Sequence, residues 1–200
     1  MLVVGLTGSL STGKSTVAAL LKQKGARVLD ADRMAHDVMT RRPCLRKIVS
    51  VFGTEVLHKG KVDRRKIAAV VFNDQRKLNR LVKIIHPFVI KEMTKKVKAC
   101  QRMKISSVVV LDVPLLFESG LHRLADVTVV VSAPQKQQIQ RAMRRLKISK
   151  TEALARIKSQ MPLHKKIQQA DIIVDNSQNL NKTKKQVNDI WQKLWQKTKN

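Results

Sequence analysis

The residues with the clearest chemical potential lie near the amino terminus, where Gly8 to Ser15 follow the pattern G-x-x-x-x-G-K-S. A loop of this form, placed between a buried strand and a helix, directs backbone N–H groups and the positive end of the helix dipole at an anion. Lys14 is then placed to reach the β- and γ-phosphates of a nucleoside triphosphate, and the Ser15 hydroxyl to bind Mg²⁺. The pattern therefore predicts a triphosphate site.

The flanking segments have the character that this loop requires. Residues 2–6 form an apolar, β-branched run, and residues 16–25 are rich in helix-forming Ala and Leu, with Gly25 as a helix stop. A chance match in a glycine-containing turn is the alternative, but the strand and the helix in their expected places favour the phosphate site.

Composition limits the class of protein. The 200 residues, 43% of them hydrophobic, fit one globular domain. No apolar stretch approaches the ~18 residues of a membrane span, and no secretion signal is visible. Cys44 and Cys100 have no metal-like spacing. We expect a cytoplasmic protein that is a monomer or a small homo-oligomer, with no membrane partner.

The charge balance is unusual, because 41 Lys and Arg against 14 Asp and Glu give a net charge of +27. Such a surface attracts polyanions, so nucleic acid is a possible partner. However, the basic residues are spread along the chain, and aromatic residues for base stacking make up only 3% of it. A basic surface without dedicated nucleic-acid binding is therefore the favoured interpretation.

Five short, β-branched apolar runs recur along the chain, as expected of strands buried on both faces. Helical patterns separate most of them, so we predict an α/β fold with a five-stranded parallel sheet flanked by helices. Ligands of such sheets bind beyond the carboxyl ends of the strands. The runs cover residues 2–6, 27–29, 108–111, 127–131 and 172–174.

The region between the second and third runs predicts helices and no convincing strand over residues 32–104. Asp63 is placed to cap one helix. Apolar spacing over residues 78–85 predicts another, which we expect to be interrupted at Pro87, with His86 non-helical. The region is too long for a simple crossover, so we expect an inserted subdomain that shapes the pocket of a second substrate.

A second helical block, strongly basic, covers residues 135–166 and includes Arg141 and Arg145. It is either a lid whose guanidinium groups meet phosphates or a solvated face, which the charge pattern by itself favours. Residues 182–199 predict a C-terminal helix with an apolar packing stripe of Val187, Ile190, Trp191 and Leu194.

Carboxylates end two of the predicted strands. Asp30 and Asp32 close the second strand at alternate positions, where one of them can orient an acceptor hydroxyl and take its proton. Helix capping explains Asp32 equally well. Asp112 closes the third strand and is placed either to hold Mg²⁺ through water or to cap the next turn.

The order of these motifs resembles the dephospho-CoA kinase family over nearly the whole chain. The matching segments are Gly5-Leu6-Thr7-Gly8, Gly13-Lys14-Ser15-Thr16, Asp30-Ala31-Asp32, Phe52-Gly53, His86-Pro87, the heptad from Asp112 to Glu118, Ala170-Asp171 and Asp175-Asn176.

The resemblance implies a P-loop kinase fold with a helical CoA-binding insertion and a lid. It also implies ATP- and Mg²⁺-dependent phosphorylation of the ribose 3′-hydroxyl of dephospho-CoA, the last step of coenzyme A biosynthesis. The single kinase domain would comprise a nucleotide-binding core at residues 1–31, 106–140 and 167–200, the insertion at 32–105 and the lid at 141–166.

The same resemblance implies roles for individual residues. Asp32 is the expected base, and Arg141 and Arg145 match lid arginines, which reverses the preference for a solvated face. Acceptor-side positions are His86, Asp112 and Leu115, although a histidine before proline is often structural. Lys14 is expected to be catalytic and also to bind phosphate, and Ser15 is expected to bind the metal ion. The phosphate-binding residues are Gly8, Ser11, Thr12, Gly13, Lys14, Ser15 and Thr16.

The chain departs from the family pattern at Ser9 and Ser11, where Gly is usual, and at Leu146-Lys147, where Asp-Gly is common. The first change stiffens the loop without removing a phosphate-binding N–H, and the second concerns lid geometry. The alternatives are another nucleoside or nucleotide kinase and a nucleic-acid-binding ATPase. A GTPase is disfavoured, because residues 181–184 lack the Asp of an N-K-x-D motif.

Overall fold

A central parallel sheet organises the chain in the computed structural model, which describes residues 1–72 and 74–198. Its strands are β1 (Leu2–Gly8), β2 (Arg27–Asp30), β5 (Val108–Asp112), β6 (Val127–Ser132) and β7 (Ile172–Asp175). Their order in the sheet is β2-β5-β1-β6-β7, and every neighbouring pair is parallel. The predicted five-stranded parallel sheet is confirmed.

The register brings the carboxyl ends of the strands to one edge. Gly8 of β1 lies opposite Val131, while Asp112 of β5 lies between Leu6 of β1 and Asp30 of β2. Parallel strands aligned in this way place the loops that follow them side by side. The loop after β1 therefore lies between the loops that follow β5 and β6.

Helices cover the sheet because its strands are apolar on both faces. All the residues of β1 and β5 are buried. On one face, α1 (Lys14–Gln23) and α9 (Leu180–Lys197) pack together against the strands. The predicted stripe of the C-terminal helix lies in this cluster, with Trp191 only partly buried. Gly25 has φ 103°, as expected of a helix stop.

The described chain groups into two compact units, of which the first comprises Met1–Asp30 and Lys96–Asn200. Beyond the sheet and its two helices, this unit contains a 3₁₀ turn at Leu121–Leu124 and three helices. These are α6 (Gln135–Leu146), α7 (Lys150–Lys158) and α8 (Leu163–Gln168). A capping box begins α7, in which Ser149 and Glu152 satisfy each other's backbone N–H groups.

The second unit, Ala31–Lys95, is mainly helical. Asp63 caps α4 (Arg64–Phe72), since its Oδ1 accepts from the N–H groups of Arg65 at 2.7 Å and Lys66 at 3.0 Å. The helices that lie or begin in this unit are α2 (Ala31–Met39), α3 (Arg42–Phe52), α4 (Arg64–Phe72) and α5 (Gln75–Arg102).

Three expectations for this region were wrong. The region contains a short antiparallel hairpin of β3 (Leu57–His58) and β4 (Lys61–Val62), whose two-residue strands leave no period in the sequence. The second strand of the sheet ends at Asp30, so Asp32 lies in the first turn of α2 rather than in a strand.

The third error concerns Pro87, which lies inside α5 together with a helical His86. Proline removes one helical N–H and its ring crowds the preceding turn. The helix nevertheless continues, because its buried face spans both sides of the proline and packing outweighs local propensity. That face consists of Leu81, Ile85, Val89 and Met93.

Among the residues that the structure describes, no helix combines the length and the apolar character that a membrane span needs. Cys44 and Cys100 are both free and buried. Burial raises the pKa of the Cys44 thiol, while nearby Lys47 lowers it.

Candidate active site

The glycine-rich loop has the predicted strand–loop–helix context, since β1 ends at Gly8 and α1 begins at Lys14. Thr12 closes the loop on itself. Its side-chain Oγ1 and its backbone N–H both donate to the carbonyl of Ser9, at 3.0 and 3.3 Å. Because Thr12 is fully buried, this closure of the loop is shielded from water.

The two glycines of the motif are sterically required. Gly13 has φ 96°, and a Cβ there would overlap the side-chain nitrogen of Asn176. A Cβ on Gly8 would lie 2.6 Å from the Thr12 hydroxyl and 2.7 Å from the Val131 carbonyl oxygen. The close approach of the loop to its neighbours therefore depends on glycine at both positions.

Ser11, one of the departures from the family pattern, adopts φ 56°. This is the left-handed region, which glycine occupies without strain and serine does not. The Ser11 hydroxyl is also buried with no hydrogen-bond partner among the described residues. A buried hydroxyl without a partner is costly, and a phosphate oxygen at the loop would satisfy it.

Lys14 forms an ion pair with Asp112 from the end of β5. Both side chains are largely buried, with 16% of Lys14 and 12% of Asp112 exposed. The pair holds the lysine at the carboxyl edge of the sheet, beside the loop. Leu115, also predicted at the site, is half-buried in the turn that follows.

Asn176, which follows β7, supports the loop and received no site role from the sequence. Its Nδ2 donates to the Thr12 carbonyl at 2.8 Å, and its Oδ1 accepts from the Thr183 hydroxyl at 2.8 Å. All three residues are at least nine-tenths buried. The sequence feature that could have indicated this role is the position of Asn176 directly after the last strand of a parallel sheet, at the edge where ligands bind.

Arg141 of α6 is connected to the same support. Its Nη2 donates to the Asn176 carbonyl at 2.9 Å and to Gln137 Oε1 at 3.1 Å. Its Nη1 is buried and has no hydrogen-bond partner within the described chain, so the hydrogen-bonding capacity of this nitrogen is unsatisfied. Arg145, one turn further along, is exposed in the last turn of the helix.

The metal-binding capacity of the site lies in oxygen atoms. Ser15 and Thr16 are exposed in the first turn of α1, and Asp112 supplies a carboxylate nearby in the loop's ion pair. Within residues 1–72 and 74–198, no three His, Cys, Asp or Glu side chains gather as a metal site. These few oxygen donors fit Mg²⁺ that arrives with a nucleotide, since Mg²⁺ keeps several waters and takes ligands from phosphates.

The remaining predicted residues belong to the second unit. Asp32 is exposed in the first turn of α2, and His86 is half-buried in the middle of α5. The contacts described above thus bring together the loop, Asp112 and Arg141, whereas Asp32 and His86 are positioned by helices of the other unit.

The phosphate loop on the central strand of this parallel sheet, with its lysine held at the sheet edge, defines a P-loop protein that binds nucleoside triphosphates. Comparison with known proteins specifies the family. The dephospho-CoA kinase family model matches residues 2–182, and the chain belongs to that family. It is a phosphate-transferring enzyme of coenzyme A biosynthesis.

Individual relatives match this chain over nearly their whole length. A dephospho-CoA kinase from Carboxydothermus hydrogenoformans is 42% identical over 193 residues, which cover 96% of this chain and 93% of the relative. The crystal structure of TT1252 from Thermus thermophilus superposes with a TM-score of 0.78 at 32% identity, covering 96% and 97% of the two chains. Dephospho-CoA kinase from Campylobacter jejuni gives a TM-score of 0.72 at 25% identity, with 96% of each chain covered.

Proposed function

We propose that this chain transfers the γ-phosphoryl group of ATP to the ribose 3′-hydroxyl of dephospho-CoA, which yields coenzyme A and ADP. The observation that supports this assignment is one connected set of groups: a phosphate loop closed by Thr12, Lys14 held by Asp112, and Arg141 joined to the loop through Asn176. Phosphoryl transfer needs mainly positioning and electrostatic stabilisation, and these groups can supply both.

The phosphates of ATP are bound by the loop and the first turn of α1. Backbone N–H groups and the helix dipole attract the anion, and the Ser11 hydroxyl, buried without a partner, donates to it. Lys14 exchanges its contact with Asp112 for the terminal phosphates, where its positive charge offsets the charge that gathers during transfer.

In this proposal the Ser15 hydroxyl would hold Mg²⁺, and the ion would supply electrostatic stabilisation of the phosphate charge. Asp112, released from Lys14, would hold the ion through water.

Arg141 and Arg145 act on the transferred phosphate from α6. The unpartnered Nη1 of Arg141 donates to the nucleotide. Arg145, exposed on the last turn, belongs to the proposed lid at residues 141–166 and reaches the phosphates when that lid closes.

The second unit supplies the acceptor side in this proposal. Asp32 orients the 3′-hydroxyl and accepts its proton, while His86 and Leu115 are each assigned a contact with dephospho-CoA. Asp32 begins α2 directly after a strand of the sheet, and carboxyl ends of such strands are where substrates meet the bound nucleotide.

Substitution of Asp32 tests the assignment of the base. Asp32→Asn should lower kcat with dephospho-CoA by about 100-fold or more, because general-base catalysis typically contributes that much, and should leave ATP affinity near the wild-type value. Asp37→Asn, an exposed position on the same helix, is the matched control and should retain kcat. Full activity in Asp32→Asn would assign the base elsewhere.

A further inference from the structure

A fully buried lysine lies outside the residues assigned above. Lys166 of α8 has no exposed side-chain surface, and it is the largest of the fully buried side chains. Lysine is almost never completely buried unless its charge is paired. Its neighbour on the same helix, Lys165, is exposed, so burial is specific to this one position.

The ammonium group of Lys166 has two partners, both in the turn that follows β5. It donates to the Pro114 carbonyl at 2.7 Å and forms an ion pair with Glu118 Oε1 at 2.9 Å. Burial lowers the pKa of Lys166, whereas the hydrogen bond and charge of Glu118 raise it. The charge of Lys14 lowers it further, so the field of the buried ammonium extends to the lysine of the phosphate loop.

Each partner of Lys166 also holds a second segment. The Pro114 carbonyl accepts from the Thr7 hydroxyl at 3.0 Å, and Thr7 directly precedes Gly8 of the phosphate loop. Glu118 Oε1 accepts the backbone N–H of Met161 at 3.0 Å, just before α8. One ammonium group thus joins the end of β1, the turn after β5 and the segment that enters α8.

This geometry connects Lys166 to the reacting groups through short covalent paths. Asp112, the partner of Lys14, lies two residues before Pro114. Met161 lies within the segment that we propose as the lid. A displacement of the turn after β5 would therefore move Asp112, which pairs with Lys14 in the structure and which we propose acts at Mg²⁺ once Lys14 has left it, and would release the anchor of the proposed lid.

We propose that Lys166 is a positioning residue for phosphoryl transfer, which holds the turn after β5 and the entry of α8 in the geometry that the phosphate loop requires. This inference depends on the proposed function. Lys166 does not touch the substrates in this proposal, so its removal should affect kcat far more than the KM for dephospho-CoA.

The test compares Lys166→Met with Lys193→Met, at an exposed lysine of α9, by steady-state kinetics and by thermal unfolding. Lys166→Met should lower kcat by about 10- to 100-fold, in line with the cost of a small misplacement of reacting groups, while the KM for dephospho-CoA changes less than about threefold. Lys193→Met should match the wild type. If the wild type itself did not phosphorylate dephospho-CoA, the proposed function would fail, independently of Lys166.

A double variant separates positioning from stability. Only the Lys166 side of the pair is fully buried. Removing Lys166 leaves the Glu118 carboxylate without its partner, whereas replacing both residues by apolar ones leaves no unpaired charge. Lys166→Met/Glu118→Leu should therefore regain much of the thermal stability but retain the low kcat. Wild-type kcat in either variant, or failure of both to fold, would assign Lys166 a purely structural role and overturn the proposal.

Discussion

Lys147 holds a left-handed backbone conformation, with φ 53° and ψ 44°, at the end of α6. The sequence resemblance implies glycine at this position, so this departure from the family pattern coincides with a strained backbone conformation. We expect Lys147→Gly to raise the free energy of unfolding by about 0.5–1 kcal/mol, because relief of the steric cost exceeds the added freedom of the unfolded chain. Urea unfolding measures the difference. Lys147→Ala, which keeps the Cβ, should give no gain, and an equal gain from both variants would refute the explanation.

Asp171 gives the fold a pH dependence that the structure specifies. Hydrogen bonds from the Thr128 hydroxyl and backbone N–H, each 2.7 Å, lower the pKa of Asp171. A carboxyl whose pKa is lower in the folded state stabilises the fold above its unfolded pKa of about 3.9, and this contribution disappears as pH falls through the folded pKa.

Wild-type protein should therefore lose more stability between pH 7 and pH 3 than Asp171→Asn does. Thermal unfolding at a series of pH values tests this, with Asp189→Asn, an exposed position on α9, as the control. The same acid sensitivity in Asp171→Asn and the wild type would show that the Thr128 contacts contribute nothing to it.

At the level of elements, the loop after β7 acts as a support for the phosphate loop. Asn176→Ala would leave the Thr12 carbonyl and the Thr183 hydroxyl buried without partners. We expect a loss of about 1–3 kcal/mol in the free energy of unfolding and weaker ATP binding, measured by calorimetry. Asn179→Ala, which removes only the exposed cap of α9, is the control. ATP affinity equal to wild type in Asn176→Ala would exclude the supporting role.

The elements differ in how far their sequence predicts them. Parallel strands buried on both faces leave continuous β-branched runs, so all five strands of the sheet and the helix after the loop were predictable. The two-residue strands near Leu57 and Lys61 are too short to produce a period. The expected interruption of the helix at Pro87 and the non-helical state of His86 were wrong. The rule for proline considers only neighbouring residues, whereas the continuation of α5 depends on the tertiary packing of its buried face.

The residues of the candidate site also differ in how far the sequence predicts them. Gly8, Gly13 and Lys14 lie within one short motif whose spacing itself encodes the chemistry. The supports are not encoded locally, because Asn176 reaches Thr12 across 164 residues of sequence and Lys166 reaches Pro114 across 52. Nothing near Asn176 or Lys166 in the sequence indicates which distant backbone atom each one holds.

For the whole molecule, the net charge of +27 has two consequences. The positive charges repel one another in the folded protein, which lowers its stability, and they attract anionic substrates. Salt screens both effects. Raising NaCl from about 0.02 to 0.3 M should increase the thermal midpoint and raise the KM for ATP and dephospho-CoA. Adding RNA should not stimulate ATP hydrolysis. A salt-independent KM, or hydrolysis stimulated by RNA, would contradict this account of the charge.

The central claim is that the phosphate loop serves transfer to one particular alcohol. The most direct measurement is ADP release from ATP and Mg²⁺ with and without dephospho-CoA, with coenzyme A quantified in the same reaction and Lys14→Met as the inactive control. We predict that ADP release depends on dephospho-CoA, that coenzyme A forms in a one-to-one ratio with ADP, and that Lys14→Met loses at least about 100-fold in rate. ADP release that is equally fast without dephospho-CoA, or faster with a nucleoside acceptor, would contradict the assignment.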